Sequence, residues 1–180
     1  IAFDGDADRC FIVDEKGEAV SPSTVCAMIA ERYLDENPGA TIIHNLITSK
    51  SVRELVETKG GKPVRTRVGH SFIKAQMAKE GAVFGGEHSA HYYFSDFFNA
   101  DSGMLAALHV LATLGGQDKP LSELKRAYET NRASGEINSE VADQAGRTEA
   151  VVEAFADRSV SVDRLDGVTI EPVSYTHLRA

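Results

Sequence analysis

Ala40-Thr41-Ile42-Ile43-His44 is a short apolar, β-branched run, and its alternation with the segments after it decides the fold. Residues 51–59 carry Val52, Leu55 and Val56 on one helical face and end at Gly60-Gly61. Lys62-Pro63-Val64-Arg65-Thr66-Arg67 then reads as a second strand, residues 71–80 as a second helix closed by Gly81, and Ala82-Val83-Phe84 as a third strand. Strand and helix alternating at this interval predict βαβ units, hence an α/β fold with a mixed, mainly parallel sheet and flanking helices. Ligands of such sheets gather at the carboxyl ends of the strands. The loops 45–50, 68–70 and 85–89 each follow a strand, so they are expected to open on one side as one cleft.

Working outward, Ser21-Pro22-Ser23-Thr24 supplies a helix N-cap and a first-turn proline, and Val25, Met28, Ile29 and Tyr33 recur at helical spacing until Asn37-Pro38-Gly39. Before it, Asp14-Glu15-Lys16-Gly17-Glu18 reads as a hairpin turn with Ala19-Val20 returning, and a shift in composition puts a domain boundary near residue 21. On the other side, Asp101-Ser102 caps a helix carrying Met104, Leu105, Leu108, Leu111 and Ala112, and Pro120 starts another with Leu121, Leu124 and Tyr128. Beyond Asn131 the chain turns polar, with a strand expected at 136–141 and a helix at 147–155, a linker and the opening of a further domain.

The chemistry concentrates in Ile1-Ala2-Phe3-Asp4-Gly5-Asp6-Ala7-Asp8-Arg9-Cys10-Phe11-Ile12-Val13, read as two short buried strands with an acidic junction. Like charges packed this closely are costly unless a cation sits among them, so Asp4, Asp6 and Asp8 point to a hard divalent metal. Gly5 and Ala7 are small enough to let the backbone curl and the carboxylates converge. Arg9 is placed to bind an anion that also touches the metal, and phosphate oxygens match its fork of donors. Three alternatives stand beside this. One is a solvated acidic turn. Another is a calcium loop with Glu15 at its twelfth position, against which stand Arg9 and the strand-like Phe11-Ile12-Val13. The third is a phosphatase with an Asp nucleophile in Phe3-Asp4-Gly5-Asp6.

Gly85-Gly86-Glu87-His88-Ser89 opens on glycine and presents a carboxylate and a hydroxyl two residues apart, groups suited to vicinal sugar hydroxyls, or else it is an ordinary solvated turn. His70, at a helix N-terminus, suits an anion or acid–base work, with capping as the alternative. His88 and His91 flank Ser89, and without a nearby cysteine they do not spell a zinc site. Lys50, near a helix start, is a phosphate candidate, whereas Arg65 and Arg67 share one strand face and read as a solvated stripe.

With 180 residues and 42% hydrophobic content the chain can bury a sizeable core. A net charge of −8 and a pI near 5.2 argue against a nucleic-acid partner and leave room for a small phosphorylated ligand held by local basic groups. No apolar run approaches the length that crosses a bilayer, so no membrane partner is expected. Cys10 and Cys26 lie in apolar surroundings without metal-binding spacing, which favours buried thiols in a reducing cytoplasm. There is no initiator Met and no signal-like segment, and the chain reads as a fragment.

Several of these stretches coincide with one family. Asp4-Gly5-Asp6-Ala7-Asp8-Arg9 resembles the magnesium loop of the α-D-phosphohexomutases, Val68-Gly69-His70-Ser71-Phe72-Ile73-Lys74 their mid-chain histidine segment, and Gly86-Glu87-His88-Ser89-Ala90-His91 their sugar-recognition loop. Order and separation agree over roughly residues 1–171, and residues 85–114 look most like bacterial members. The resemblance implies a four-domain enzyme in which a phosphoserine and a bisphosphate intermediate move a phosphoryl group between O1 and O6 of mannose or glucose phosphate. It implies Mg2+ on Asp4, Asp6 and Asp8, catalytic roles for Arg9 and His70, and substrate contacts from Gly86, Glu87, Ser89 and His91; Lys50 stays a substrate-binding candidate on its position alone, since many relatives carry a lysine nearer Ile47. It maps 1–20 to the end of domain II, 21–117 to sugar-binding domain III, 118–134 to a linker and 135–173 to a truncated domain IV, with 174–180 a non-native tail. A fragment without the serine-bearing domain is expected to be inactive, and a metal- or sugar-phosphate-binding module without chemistry is the remaining alternative.

Overall fold

The structure, a computed structural model, describes residues 1–172 and the backbone of Leu178–Arg179; the non-native tail expected at 174–180 otherwise lies outside the described residues. The chain divides into two compact units, Ile1–Arg132 and Ala133–Ala180.

The first unit opens with three antiparallel strands, β1 (Ala2–Phe3), β2 (Cys10–Val13) and β3 (Ala19–Val20), in which Phe3 faces Cys10 and Ile12 faces Val20. Side chains of β2 alternate, Cys10 and Ile12 buried, Phe11 and Val13 exposed. The expectation of two buried strands fails for β1, the edge strand of this sheet, whose two residues point to opposite faces and are both exposed.

Then come α1 (Pro22–Glu36), β4 (Thr41–Asn45), α2 (Lys50–Thr58), β5 (Lys62–Thr66), α3 (His70–Glu80), β6 (Phe84–Gly86), β7 (Tyr92–Phe94), β8 (Ala100–Asp101), α4 (Gly103–Gly115) and α5 (Leu121–Leu124). The sheet order is β5-β4-β6-β7-β8; β4 pairs in parallel with β5 and β6, while β7 and β8 extend the sheet by antiparallel pairing. The sheet is therefore mixed, with parallel pairing confined to three strands. The third strand begins at Phe84 and not at Ala82, because the Ala82 amide is spent on Met77 O at the end of α3.

Helices cover both faces. Val25, Cys26, Met28 and Ile29 of α1, Val52 and Val56 of α2, and Ala106 and Val110 of α4 join Ile42, Phe84, Tyr92 and Phe94 in one core cluster, while Ile73 and Met77 of α3 join Ile43 and Tyr93 in another. Strands covered on both faces must be apolar throughout, which explains the continuous run at Ile42-Ile43 and at Tyr92-Tyr93-Phe94. On α4 the small residues face inward, and Met104, Leu108 and Leu111 are exposed.

The expected linker 118–134 is packed as far as Tyr128: Leu121, Ser122, Lys125 and Tyr128 are buried. Lys125 Nζ lies 2.8 Å from Asp14 Oδ2 and 3.3 Å from Glu18 Oε2, latching the hairpin turn to the end of α5.

The second unit holds α6 (Gln144–Ala154), β9 (Ser159–Asp163), β10 (Thr169–Pro172) and β11 (Leu178–Arg179), with β10 central and antiparallel to both neighbours. The strand expected at 136–141 does not form: its apolar residues Ile137 and Val141 are exposed, with no neighbouring strand to pair with. Among the described residues no helix is long and apolar enough to cross a membrane.

Candidate functional site

Residues 4–9 join β1 to β2. Ala7 sits in the left-handed region (φ 61°), with its amide donating to Asp4 O at 3.2 Å, so Ala7 and not Gly5 makes the turn. This brings one carboxylate oxygen from each of Asp4, Asp6 and Asp8 within 4.8 Å of the others. Arg9 donates through Nε to Asp4 Oδ2 at 2.6 Å and through its amide to Asp4 Oδ1 at 3.2 Å. Burial works upward on Asp4, but the Arg9 hydrogen bonds prevail and hold its carboxyl below its ordinary value. Asp8 Oδ1 is buried without a hydrogen-bond partner. Its nearest cation is Arg9 Nε at 3.9 Å, and convergent hard oxygens with a hydrogen-bonding position to spare suit a divalent cation such as Mg2+ or Ca2+. Glu15 plays no part: it lies at the far end of the hairpin, where its Oε2 accepts from Ser122 N at 3.1 Å, so a calcium loop lacks its twelfth-position ligand.

The loop after β6 closes on itself, with Glu87 N donating to His91 O at 2.9 Å, Ala90 N donating to Glu87 O at 3.2 Å and Ala90 at φ 70°. It docks on the acidic loop: Cys10 N donates to Ala90 O at 3.2 Å, and Arg9 pairs with His91 as an antiparallel bridge. His91 stands between the two motifs, Nε2 3.3 Å from Asp8 Oδ2 and Nδ1 3.0 Å from Ser89 Oγ. The chain thus runs aspartate, imidazole, hydroxyl. Glu87 lies beneath, only 2% exposed, accepting from Tyr93 Oη at 2.6 Å and from Asn45 Nδ2 at 3.0 Å.

The other sequence-predicted residues separate by position. Gly86 is a packing glycine, since a Cβ there would collide with Cys26 Sγ. His88 turns to Ser23, whose Oγ is 2.8 Å from its Nδ1 and also accepts from Ser49 N at 3.0 Å, fastening the starts of α1 and α2 to the loop. His70 is the exposed first residue of α3, after Gly69 at φ 127°. Lys50 is the first residue of α2, with Nζ 3.7 Å from Glu54 Oε1. Both stand at the carboxyl edge of the parallel strands, as the topology predicted. Cys10 and Cys26 are free and buried, and burial pushes their thiols up to about 11 and about 12.

Sequence reasoning missed four contributors. Gly103, at the start of α4, touches the acidic loop so closely that a Cβ would lie 2.7 Å from Ala7 O and 2.8 Å from Arg9 O. Asp101 brings an oxygen within 4.8 Å of ligand atoms of Asp8 and His91, and it is paired with Lys74 Nζ at 2.9 Å. Tyr93 and Asn45, assigned only to core and loop, hold Glu87. The signal available was Asp101-Ser102-Gly103, where a cap needs the serine but not the flanking acid and glycine.

Residues 21–131 match the family described as phosphoglucomutase/phosphomannomutase, alpha/beta/alpha domain III. The chain is 44% identical over 171 residues to a phosphomannomutase of Escherichia coli K12, covering 94% of this chain and 38% of that protein. It is 40% identical over 173 residues to a phosphomannomutase of Vibrio cholerae, covering 95% of this chain and 37% of that protein. Among solved structures, a phosphoglucomutase/phosphomannomutase family protein from Burkholderia thailandensis superposes with a TM-score of 0.78 at 28% identity, covering 96% of this chain and 37% of that one. The chain thus spans about 38% of the length of the curated relatives it matches.

Proposed function

The chain belongs to the phosphoglucomutase/phosphomannomutase family, and from that premise we propose that it is the metal-loop and sugar-binding part of an enzyme moving a phosphoryl group between O1 and O6 of mannose or glucose phosphate. The observation that carries the reading is the contact between motifs far apart in sequence: His91 reaches Asp8 at 3.3 Å and Ser89 at 3.0 Å. The acidic loop and the proposed hydroxyl-binding loop then lie side by side, as a mutase requires.

In this reading Asp4, Asp6 and Asp8 hold Mg2+, which when bound supplies charge neutralisation at the phosphoryl oxygens. Arg9 keeps Asp4 fixed through Nε, and with its side chain 43% exposed its remaining donors serve the phosphoryl group. Ser89 donates and accepts, and Glu87 accepts, so a hexose turned end for end between half-reactions meets equivalent contacts. His91 orients Ser89, and Lys50 and His70 line the edge of the cleft. Residues 1–20 correspond to the end of domain II, 21–117 to domain III, 118–134 to the connection and 135–173 to the start of domain IV, with the phosphoserine elsewhere in the enzyme and the bisphosphate passing between half-reactions. The buried thiols suit a reducing cytoplasm.

An Asp-nucleophile phosphatase is less well supported at Asp4, because both of its oxygens are engaged by Arg9, and a phosphoryl analogue trapped on Asp6 would favour that reading instead. The test is to replace the matching segment of a phosphomannomutase relative with residues 1–171 and follow interconversion of mannose 1- and 6-phosphates. Mg2+-dependent turnover is expected, falling on the order of 10²-fold in Asp6→Asn. A folded but inactive exchange protein overturns the reading.

A further inference from the structure

We propose that Tyr93 and Asn45 are positioning residues of the sugar site, holding the Glu87 carboxylate so that its unused lone pairs meet a hydroxyl of the bound hexose. The inference rests on the proposed function, in which Glu87 binds the sugar.

The sheet places the two donors on either side of their acceptor. Strand β6 runs between β4 and β7, with Gly86 opposite His44 on one side and Tyr92 on the other. Glu87 therefore leaves the sheet between Asn45, at the end of β4, and Tyr93, within β7. Tyr93 Oη donates to Oε1 at 2.6 Å and Asn45 Nδ2 to Oε2 at 3.0 Å. A carboxylate offers about four acceptor positions, so one on each oxygen stays available.

Each donor is itself fixed. The Asn45 amide has one orientation, because its Oδ1 accepts from Thr48 N at 3.0 Å and Thr48 Oγ1 at 2.7 Å, which leaves Nδ2 to face Glu87. The Tyr93 ring is fully buried and lies 5.7 Å from the Lys74 ammonium, which is anchored on Asp101 in the adjoining strand at 2.9 Å. Burial, and then Glu87 itself, push the Tyr93 phenol far above its ordinary value, so it remains a donor. A carboxylate this deeply buried does not keep its place without donors. Removing one lets Glu87 turn away from the sugar while the ring and the sheet stay in place.

The experiment titrates the 180-residue chain with mannose 1-phosphate in the presence of Mg2+ and reads affinity from amide NMR shifts. Wild type and Tyr93→Phe are compared, each also with the 3-deoxy and 4-deoxy sugars. The expected result is affinity for mannose 1-phosphate roughly 10-fold weaker in Tyr93→Phe. With the deoxy sugar that lacks the Glu87-bound hydroxyl, wild type and variant bind alike. Equal affinities for the parent sugar overturn the inference, and so does a variant that loses the same factor on every sugar, since that is a general structural effect. Asn45→Ala runs in parallel and carries the same comparison if Tyr93→Phe loses its native amide spectrum. Wild-type chain that binds no hexose phosphate overturns the functional reading and this inference together, whereas an unaffected variant overturns this inference alone.

Discussion

At Gly103 the site depends on a side chain that does not exist. The atoms a methyl group would meet are the carbonyl oxygens of Ala7 and Arg9, at 2.7 and 2.8 Å, and backbone oxygens cannot rotate aside as a side-chain end can. Gly103→Ala is therefore expected to push the acidic loop off α4, with a stability loss of about 1–3 kcal/mol from overpacking. The rise in melting temperature on adding Mg2+, which measures binding to the folded state, should shrink as well. Melting curves with and without Mg2+ check both, and an unchanged Mg2+ shift would mean the helix start does not position the loop. The aspartates themselves were legible, because alternate acids beside an arginine are unusual enough to read directly. Gly103 was not, since its role exists only once a segment from the other end of the first unit lies against it. His88 and His91 looked alike in sequence for the same reason; only folding sends one to Ser23 and the other to Asp8.

At the scale of elements, periodicity carried most of the information. Helices α1 to α3 and strands β4 and β5 follow the expected pattern to within a residue or two, because apolar spacing and glycine or proline punctuation are local properties. The direction of β7 and β8 was not legible: Tyr92-Tyr93-Phe94 reads as a buried run in either orientation. Nor was the latch between Lys125 and the hairpin turn, whose partners are separated by 111 residues for Asp14. The hydrogen bond from Lys125 holds the Asp14 carboxyl below its ordinary value near 3.8. A lowered folded-state value means the stabilisation is complete above about 3.8 and is lost as pH falls through the folded value. Asp14 in turn raises Lys125 above 10.5, so the same pair weakens as pH rises through that raised value. Lys125→Met, close in volume, should lower the melting temperature by several degrees at neutral pH and flatten its fall below pH ~4. Thermal melts from about pH 7 to about pH 2.5 decide this: parallel curves for wild type and variant would show that the pair adds nothing to folding.

For the whole molecule, the decisive feature is how the chain is partitioned. Sequence composition already turned polar beyond Asn131, and the structure makes Ile1–Arg132 a compact unit that contains the acidic loop, the 86–91 loop and both core clusters. Residues 133–142 are exposed throughout and carry neither helix nor strand, so their backbone is open to solvent and to a protease. The strand expected there failed for want of a partner, a long-range condition that no local pattern reports. Limited proteolysis should accordingly cut first between residues 129 and 143 and leave a resistant product ending near Arg132. That product, expressed as residues 1–132, should melt within about 3 °C of the parent's principal transition, since the contacts that hold the site lie inside it. It should also keep the Mg2+-dependent shift, because Asp4, Asp6, Asp8 and the residues packed on them are all retained. First cleavage within the hairpin turn 14–18, or a 1–132 product that fails to fold, would mean the second unit supports the first.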